Sequence, residues 1–210
     1  MEQYLLFLLM SFLLIILPGP DTGLLIQNTV ANGKRSGIHT TLGSATGLLI
    51  HTLAVVFGLS AIIVKSAFVF SIFKFVGALY LIYLGFISLK TLYMNTKKRP
   101  EVLVEPQVNR KSKSSYLQGF LTTITNPKVA VFFLTFLPQF VQPGENHFIQ
   151  LFSMGMIYAV LTVFWFLIYV YLIHFFISFM KKQSVQNVIQ GASGIVLLGF
   201  GIKLALEKQP

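Results

Sequence analysis

The 210-residue chain contains no cysteine. Disulfides, thiolate metal sites and dithiol redox chemistry are therefore excluded. Acidic residues are scarce as well, at 6 Asp+Glu, and all charged residues together make up 10% of the chain. Soluble domains carry about 25% charged residues, so a water-soluble globule is excluded in practice. No G-x-x-x-x-G-K-[S/T] loop is present to bind a nucleotide, and no G-x-S-x-G elbow or H-E-x-x-H pair is present for hydrolytic chemistry. The four histidines show no ligand spacing, which argues against a metal site. These absences leave no catalytic constellation. The chain reads as a non-enzyme that needs no cofactor.

What it has is apolar sequence, 55% hydrophobic with a mean hydropathy of +0.76, and a net charge of +10. The apolar excess turns the positive charge away from nucleic acid and toward membrane orientation. A membrane helix needs about 20 mostly apolar residues. Six stretches qualify, near Tyr4–Thr29, Thr41–Val64, Ala67–Leu89, Tyr116–Val141, Phe148–Met180 and Val185–Leu206. Met1-Glu2-Gln3 lacks a basic signal-peptide start, and no small-residue cleavage site follows, so the first stretch is expected to be a mature helix. The fold class is all-α, a polytopic membrane protein of six transmembrane helices.

Residues 93–115 differ, with Lys97, Lys98, Arg99, Arg110, Lys111, Lys113, Pro100 and Pro106, a composition that cannot build a core. The expected organisation is a first three-helix repeat over 1–92, a cytoplasmic linker over 93–115, and a second repeat over 116–210. Basic residues set the orientation. Lys34, Arg35, Lys90, the linker cluster, Lys181 and Lys182 fall on one face, against Lys65 and Lys208 on the other, with Lys74 and Lys203 near helix ends. That asymmetry predicts both termini outside a bacterial cytoplasmic (inner) membrane.

The halves share patterns. Gly77, Ala78, Leu84, Gly85 and Phe86 match Gly191, Ala192, Leu198, Gly199 and Phe200 at constant offset, and Leu14–Asp21 aligns with Leu121–Lys128. Chance likeness of glycine-rich helices is common, yet two regions agree in the same order. Three spans per half is odd, so the halves enter the bilayer from opposite sides as an inverted 3+3 repeat.

Helices 1 and 4 are expected to be broken. Pro18-Gly19-Pro20-Asp21 interrupts the first apolar stretch, and Asn126-Pro127-Lys128 interrupts the fourth at the equivalent place. Proline removes a donor and clashes with the preceding turn. Freed main-chain groups survive at membrane depth only where protein or a watery cavity satisfies them, and paired breaks point to a transporter binding site. Amides near Pro20–Thr22, at a resuming helix N-terminus, suit a carboxylate. The candidate substrate-binding set is Pro18, Gly19, Pro20, Asp21, Thr22, Asn126 and Pro127.

Asp21 is the lone acid in the spans, and Lys128 the lone base in the middle third of any span. Burying such a group costs at least about 2.5–3.5 kcal/mol. Two readings stand: an architectural Asp21–Lys128 ion pair, or an Asp21 that exchanges a proton or holds the substrate amine while Lys128 neutralises it. His51, polar within the second span, either hydrogen-bonds a neighbouring helix or carries a proton. Gly43 and Gly47 lie on its face of the helix. With Gly77, Gly85, Gly191 and Gly199 they read as helix-packing positions, and such faces permit a homodimer. Tyr80, Tyr83, Phe132, Phe133 and Trp165 are candidates to line a cavity, and Gln139 to face an exit path. His174 suits an interface, and His39 and His147 suit loops.

The ordered set of Leu17-Pro-Gly-Pro-Asp21, Gly33-Lys-Arg-Ser-Gly37, the Gly43…Gly47…His51 stripe, Gly77-Ala-Leu-Tyr-Leu-Ile-Tyr-Leu-Gly85, Leu121-Thr-Thr-Ile-Thr-Asn-Pro-Lys128 and Phe132-Phe-Leu-Thr-Phe-Leu-Pro-Gln-Phe140 resembles the LysE/RhtB family of amino-acid exporters. The likeness covers nearly the whole chain outside the linker. It implies a six-helix inner-membrane antiporter for small amino acids or close derivatives, driven by the proton gradient. Neutral substrates such as threonine, homoserine or leucine fit better than lysine, because one acid beside a lysine gives little negative potential. A passive channel and a structural or assembly membrane protein without substrate remain the alternatives.

Overall fold

The computed structural model describes residues 2–59, 67–95, 114–142, 146–173, 175 and 182–206. The bulk of the expected linker, His174, Lys65, Lys181, Lys208 and the far ends of the second and fifth expected spans lie outside them. Among the described residues all regular structure is helical. The helices are α1 (Glu2–Ile16), α2 (Pro20–Asn32), α3 (Lys34–Ala54), α4 (Ala67–Asn95), α5 (Ser115–Thr125), α6 (Pro127–Val131), α7 (His147–Tyr171) and α8 (Gln183–Leu206). A π-helical turn, Val55–Leu59, extends α3. A second one, Phe132–Phe136, extends α6 and is followed by a 3₁₀ turn at Leu137–Phe140.

Local chemistry sets the boundaries. Pro20 and Pro127 each stand at the first position of a helix, where the missing N–H costs nothing. Asn126 caps α6 by accepting from the Lys128 amide at 3.0 Å, and Asn146 caps α7 by accepting from Phe148 and Ile149. Gly33 turns α2 into α3 within one residue. Its φ of +82° is open to glycine and strained for a residue with a Cβ.

Three helical stretches, Lys34–Gly58, Phe75–Met94 and His147–Tyr171, are long and apolar enough to cross a membrane. Two bent pairs reach the same standard together: Tyr4–Ile16 with Pro20–Asn32, bent by 51°, and Ser115–Thr125 with Pro127–Phe140, bent by 49°. The described helices therefore supply three clear apolar spans, and five if each bent pair is one span. Leu5, Phe57, Leu79, Phe164 and Ile195 point outward as apolar surface, while Phe7, Phe132, Phe133, Leu151 and Met154 are fully buried. That is the distribution expected of a lipid-exposed bundle.

Two helix pairs hold the bundle together, both by contact too close for a side chain. In the first, α3 runs parallel to α5. A Cβ on Gly43 would strike the Tyr116 carbonyl, one on Gly119 would strike the Thr40 carbonyl, and one on Gly47 would meet the Thr123 side chain at 2.9 Å. In the second, α4 runs antiparallel to α8. A Cβ on Gly85 would lie 3.0 Å from the Gly194 carbonyl, and one on Gly201 would lie 2.9 Å from the Ala78 carbonyl. Small residues permit such approach, and dispersion then holds helices that lipid cannot drive together. Gly77 packs on Thr135.

Gly199 departs from its expected packing role. A Cβ on Gly191 would press on Leu92 of α4 at 3.3 Å, whereas one on Gly199 would meet nothing within 4 Å. Helical phase explains the difference. Gly194 and Gly201 are seven residues apart and share one face, whereas Gly199 sits about 200° around the helix from Gly201. We expect Gly43→Leu to destabilise the folded protein by about 1–3 kcal/mol or more, since the blocking atoms are backbone. Gly199→Ala should leave it unchanged. Thermal unfolding of both variants in detergent checks the contrast.

Candidate functional site

The two broken helices meet. Each proline leaves one carbonyl without the amide that would normally close its helical turn, namely that of the residue four positions earlier. For Pro18 this is Leu14, and for Pro127 it is Thr123. A side chain from the other half supplies the missing donor in each case. The Lys128 ammonium donates to the Leu14 carbonyl at 3.1 Å and to the Leu17 carbonyl, also freed at the break, at 2.9 Å. His51 Nε2 lies 3.2 Å from the Thr123 carbonyl, with the His51 ring stacked on Phe133 at 5.6 Å. Those distances make Nε2 the protonated nitrogen of the ring. The Asn126 amide N–H also reaches the Thr123 carbonyl, at 3.2 Å.

A third link crosses between the halves. The buried Asp21 carboxylate accepts from Asn126 Nδ2 at 2.6 Å and from Thr123 Oγ1 at 3.1 Å. Asn126 therefore works twice, with its oxygen capping α6 and its nitrogen holding Asp21. Asp21 lies in the first turn of α2, and the Lys128 ammonium lies at the last carbonyls of α1. Each charge thus complements the dipole of a half-helix end.

The direct Asp21–Lys128 ion pair is not formed among the described residues. The freed carbonyls take the ammonium, and the second break supplies neutral donors to the carboxylate. Both charged groups nevertheless line one pocket, with Thr22, Ser44, Tyr158 and Phe166. The open space is about 20 Å³, room for one water and far too little for an amino acid. Gly19 sits against Lys128, where a Cβ would come within 3.2 Å of the ammonium nitrogen. Pro18 and Pro20 are exposed at the first break, and Pro127 at the second.

The sequence pattern missed several residues here. Tyr158 is buried and stacked on Phe132 at 4.1 Å, and it faces the pocket from α7. Of the aromatic residues expected to line a cavity, Phe132 and Phe133 back Tyr158 from the core, and Tyr83 faces outward. Tyr80 packs 6.3 Å from Tyr83, and Trp165 meets Phe12 and Tyr169 edge-on. A polar seam leads from the pocket toward the α2–α3 turn. Asn28 Nδ2 donates to Thr40 Oγ1 at 2.9 Å and to Gln118 Oε1 at 3.2 Å, and the Ser36 and Ser115 hydroxyls meet at 2.7 Å. A four-residue spacing of Ser36, Thr40 and Ser44 on α3 was the available signal. Gln139 instead folds back on the Thr135 carbonyl, and His39 is exposed on α3. His147 opens α7. Among the described residues, no group of three His, Asp or Glu side chains comes together to hold a metal ion.

The exchanged donors give a direct test. Pro127→Ala restores the amide for Thr123 and should make the His51 contact redundant. In a double-mutant cycle with His51→Phe, which keeps the ring stack, we expect a coupling of about 1 kcal/mol in unfolding free energy. Additive effects would show that His51 does not serve this carbonyl.

Known proteins resemble the chain along its length. The model of the LysE type translocator family matches residues 12–208. The uncharacterized membrane protein YrhP of Bacillus subtilis (strain 168) is 36% identical over 210 residues, covering 99% of this chain and 100% of its own. The threonine efflux protein of Escherichia coli (strain K12) is 29% identical over 197 residues, covering 91% of each. No solved structure matches this chain significantly. With both helix breaks and all three clear spans inside the matched region, this multi-pass membrane protein belongs to the LysE type translocator family.

Proposed function

We propose that the protein is a secondary transporter that exports amino acids or close derivatives across the bacterial cytoplasmic membrane, by proton antiport and alternating access. One observation carries this reading: two half-helix breaks, one from each half, face a shared buried pocket that holds a carboxylate and an ammonium. Such sites bind zwitterions through helix N-termini, freed carbonyls and the occasional ionisable side chain. Similarity to a threonine efflux protein favours a small neutral amino acid as substrate.

Six spans in an inverted 3+3 repeat complete the proposal, with α8 as the sixth. At 24 residues α8 is about 36 Å long, enough to cross. Its antiparallel contact with α4, the aligned helix of the first half, supports opposite orientations for the two. The adjacency of Ser36 and Ser115 supports starts for α3 and α5 on the same membrane face. The basic residues flanking those starts support a cytoplasmic assignment for that face, and with it the proposal that both termini lie outside.

The pocket as it stands is closed to an amino acid, so transport requires the broken helices to part. Asp21 is the acid available to exchange a proton as the site alternates. Its release from Asn126 and Thr123 would accompany each cycle.

Purified protein in liposomes should move threonine or another small neutral amino acid against its gradient when a pH gradient is imposed, and an uncoupler should stop it. Asp21→Asn should lower this flux at least about tenfold at equal membrane abundance, a loss of about 1.4 kcal/mol of driving or barrier energy. Flux that ignores the pH gradient would indicate a channel. Absence of flux for every amino acid in a broad panel would end the proposal. Pro18→Ala and Pro20→Ala combined with Pro127→Ala should reseal both helices and also abolish gradient-driven export while the protein remains inserted.

A further inference from the structure

The contacts of Lys128 are those of a bound ligand as much as those of a structural side chain. Its ammonium rests on two main-chain carbonyls, Leu14 at 3.1 Å and Leu17 at 2.9 Å. An ammonium has three donors, so the two carbonyls leave one over. Asp21 is not needed there, because Asn126 and Thr123 already hold its carboxylate. Gly19 lies against the ammonium, where any Cβ would come within 3.2 Å of it. Lys128 also borders the pocket.

From this geometry we infer that the carbonyls of Leu14 and Leu17 form a binding site for a primary ammonium group, and that Lys128 is its resident, tethered occupant. Carbonyl oxygens at a helix C-terminal end attract any cation that can offer N–H donors. An α-amino group presents the same charge and the same three donors as the lysine tip, so these oxygens cannot tell the two apart. Under the transport function proposed above, on which this part of the inference rests, substrate enters by displacing Lys128. The lysine returns when the substrate leaves, so the carbonyls are never left bare in lipid, where an unmet polar group costs several kcal/mol. Asp21 is then the partner that the released lysine finds, since both line one pocket. The amino group of the substrate thus goes to backbone and not to Asp21.

Two measurements test the site. Lys128→Met keeps the unbranched stem of the side chain, one atom shorter, and removes the competing ammonium. Its dissociation constant for the transported amino acid should fall about tenfold, and its turnover should drop because nothing expels the bound amino group. A lysine that merely ties the helices together would give weaker or unchanged binding in a folded variant, and that result overturns the inference. The second measurement needs no transport. Lys128→Ala vacates the site, and propylammonium at millimolar concentration should raise its melting temperature by several degrees. Propanol should have no effect on this variant, and propylammonium none on the wild type. Equal responses to propylammonium and propanol would overturn the inference even if Lys128→Met cannot be purified. If the wild type moves no amino acid but propylammonium still rescues Lys128→Ala, the transport proposal fails and the ammonium site stands.

Discussion

A carbonyl deprived of its amide by proline must find another donor, and inside a bilayer no water is at hand to supply one. That constraint organises the molecule. Pro18 and Pro127 each strip one carbonyl in the middle of an apolar stretch. The fold answers by trading donors between the halves: Lys128 serves the first break, and His51 serves the second. Asp21, Asn126 and Thr123 add a third tie in the same small volume. The exchange fixes where the halves sit relative to each other, and the pocket lies between them. Breaking the helices thus creates both the polar lining of the pocket and the contacts that hold it together.

Close packing makes the exchange possible. His51 can reach Thr123 because α3 and α5 touch backbone to backbone at Gly43, Gly47 and Gly119. Side chains at those positions would separate the helices by more than the reach of a hydrogen bond. The π-helical turns at Val55–Leu59 and Phe132–Phe136 lie just beyond the site on these two spans. Turns of that kind recur at functional places in helices, where they widen the backbone by one residue. In the second of them, Phe132 and Phe133 form the aromatic bed under Tyr158.

Much of this was legible before any coordinates. The composition gave a helical membrane protein. Pro18-Gly-Pro20 and Asn126-Pro127 marked the two breaks, and the likeness between their surroundings said that the breaks belonged together. The partners were less legible. Sequence charge offered an Asp21–Lys128 ion pair as one of two readings, because it cannot show that main-chain oxygens freed by the break take the ammonium while neutral donors hold the carboxylate. Gly194 and Gly201 were missed for another reason. The repeat alignment picked out residues equivalent in sequence, while the contact seam follows helical phase and slips off Gly199. Asn28, Thr40 and Gln118 escaped notice because each lies on a different helix, and one-dimensional spacing cannot bring together residues 28 and 118. The basic linker was read from composition only, and its bulk lies outside the described residues.

The crossed supply of donors also bears on how the chain is made. Synthesis proceeds from the N-terminus, so the first half enters the bilayer while Lys128 is still inside the ribosome. Until then the oxygens of Leu14 and Leu17 lack their ultimate counterpart, and α1 and α2 must be shielded by the insertion machinery or wait at its margin. The helices α1 and α2 therefore stay incomplete until a residue more than a hundred positions later arrives beside them.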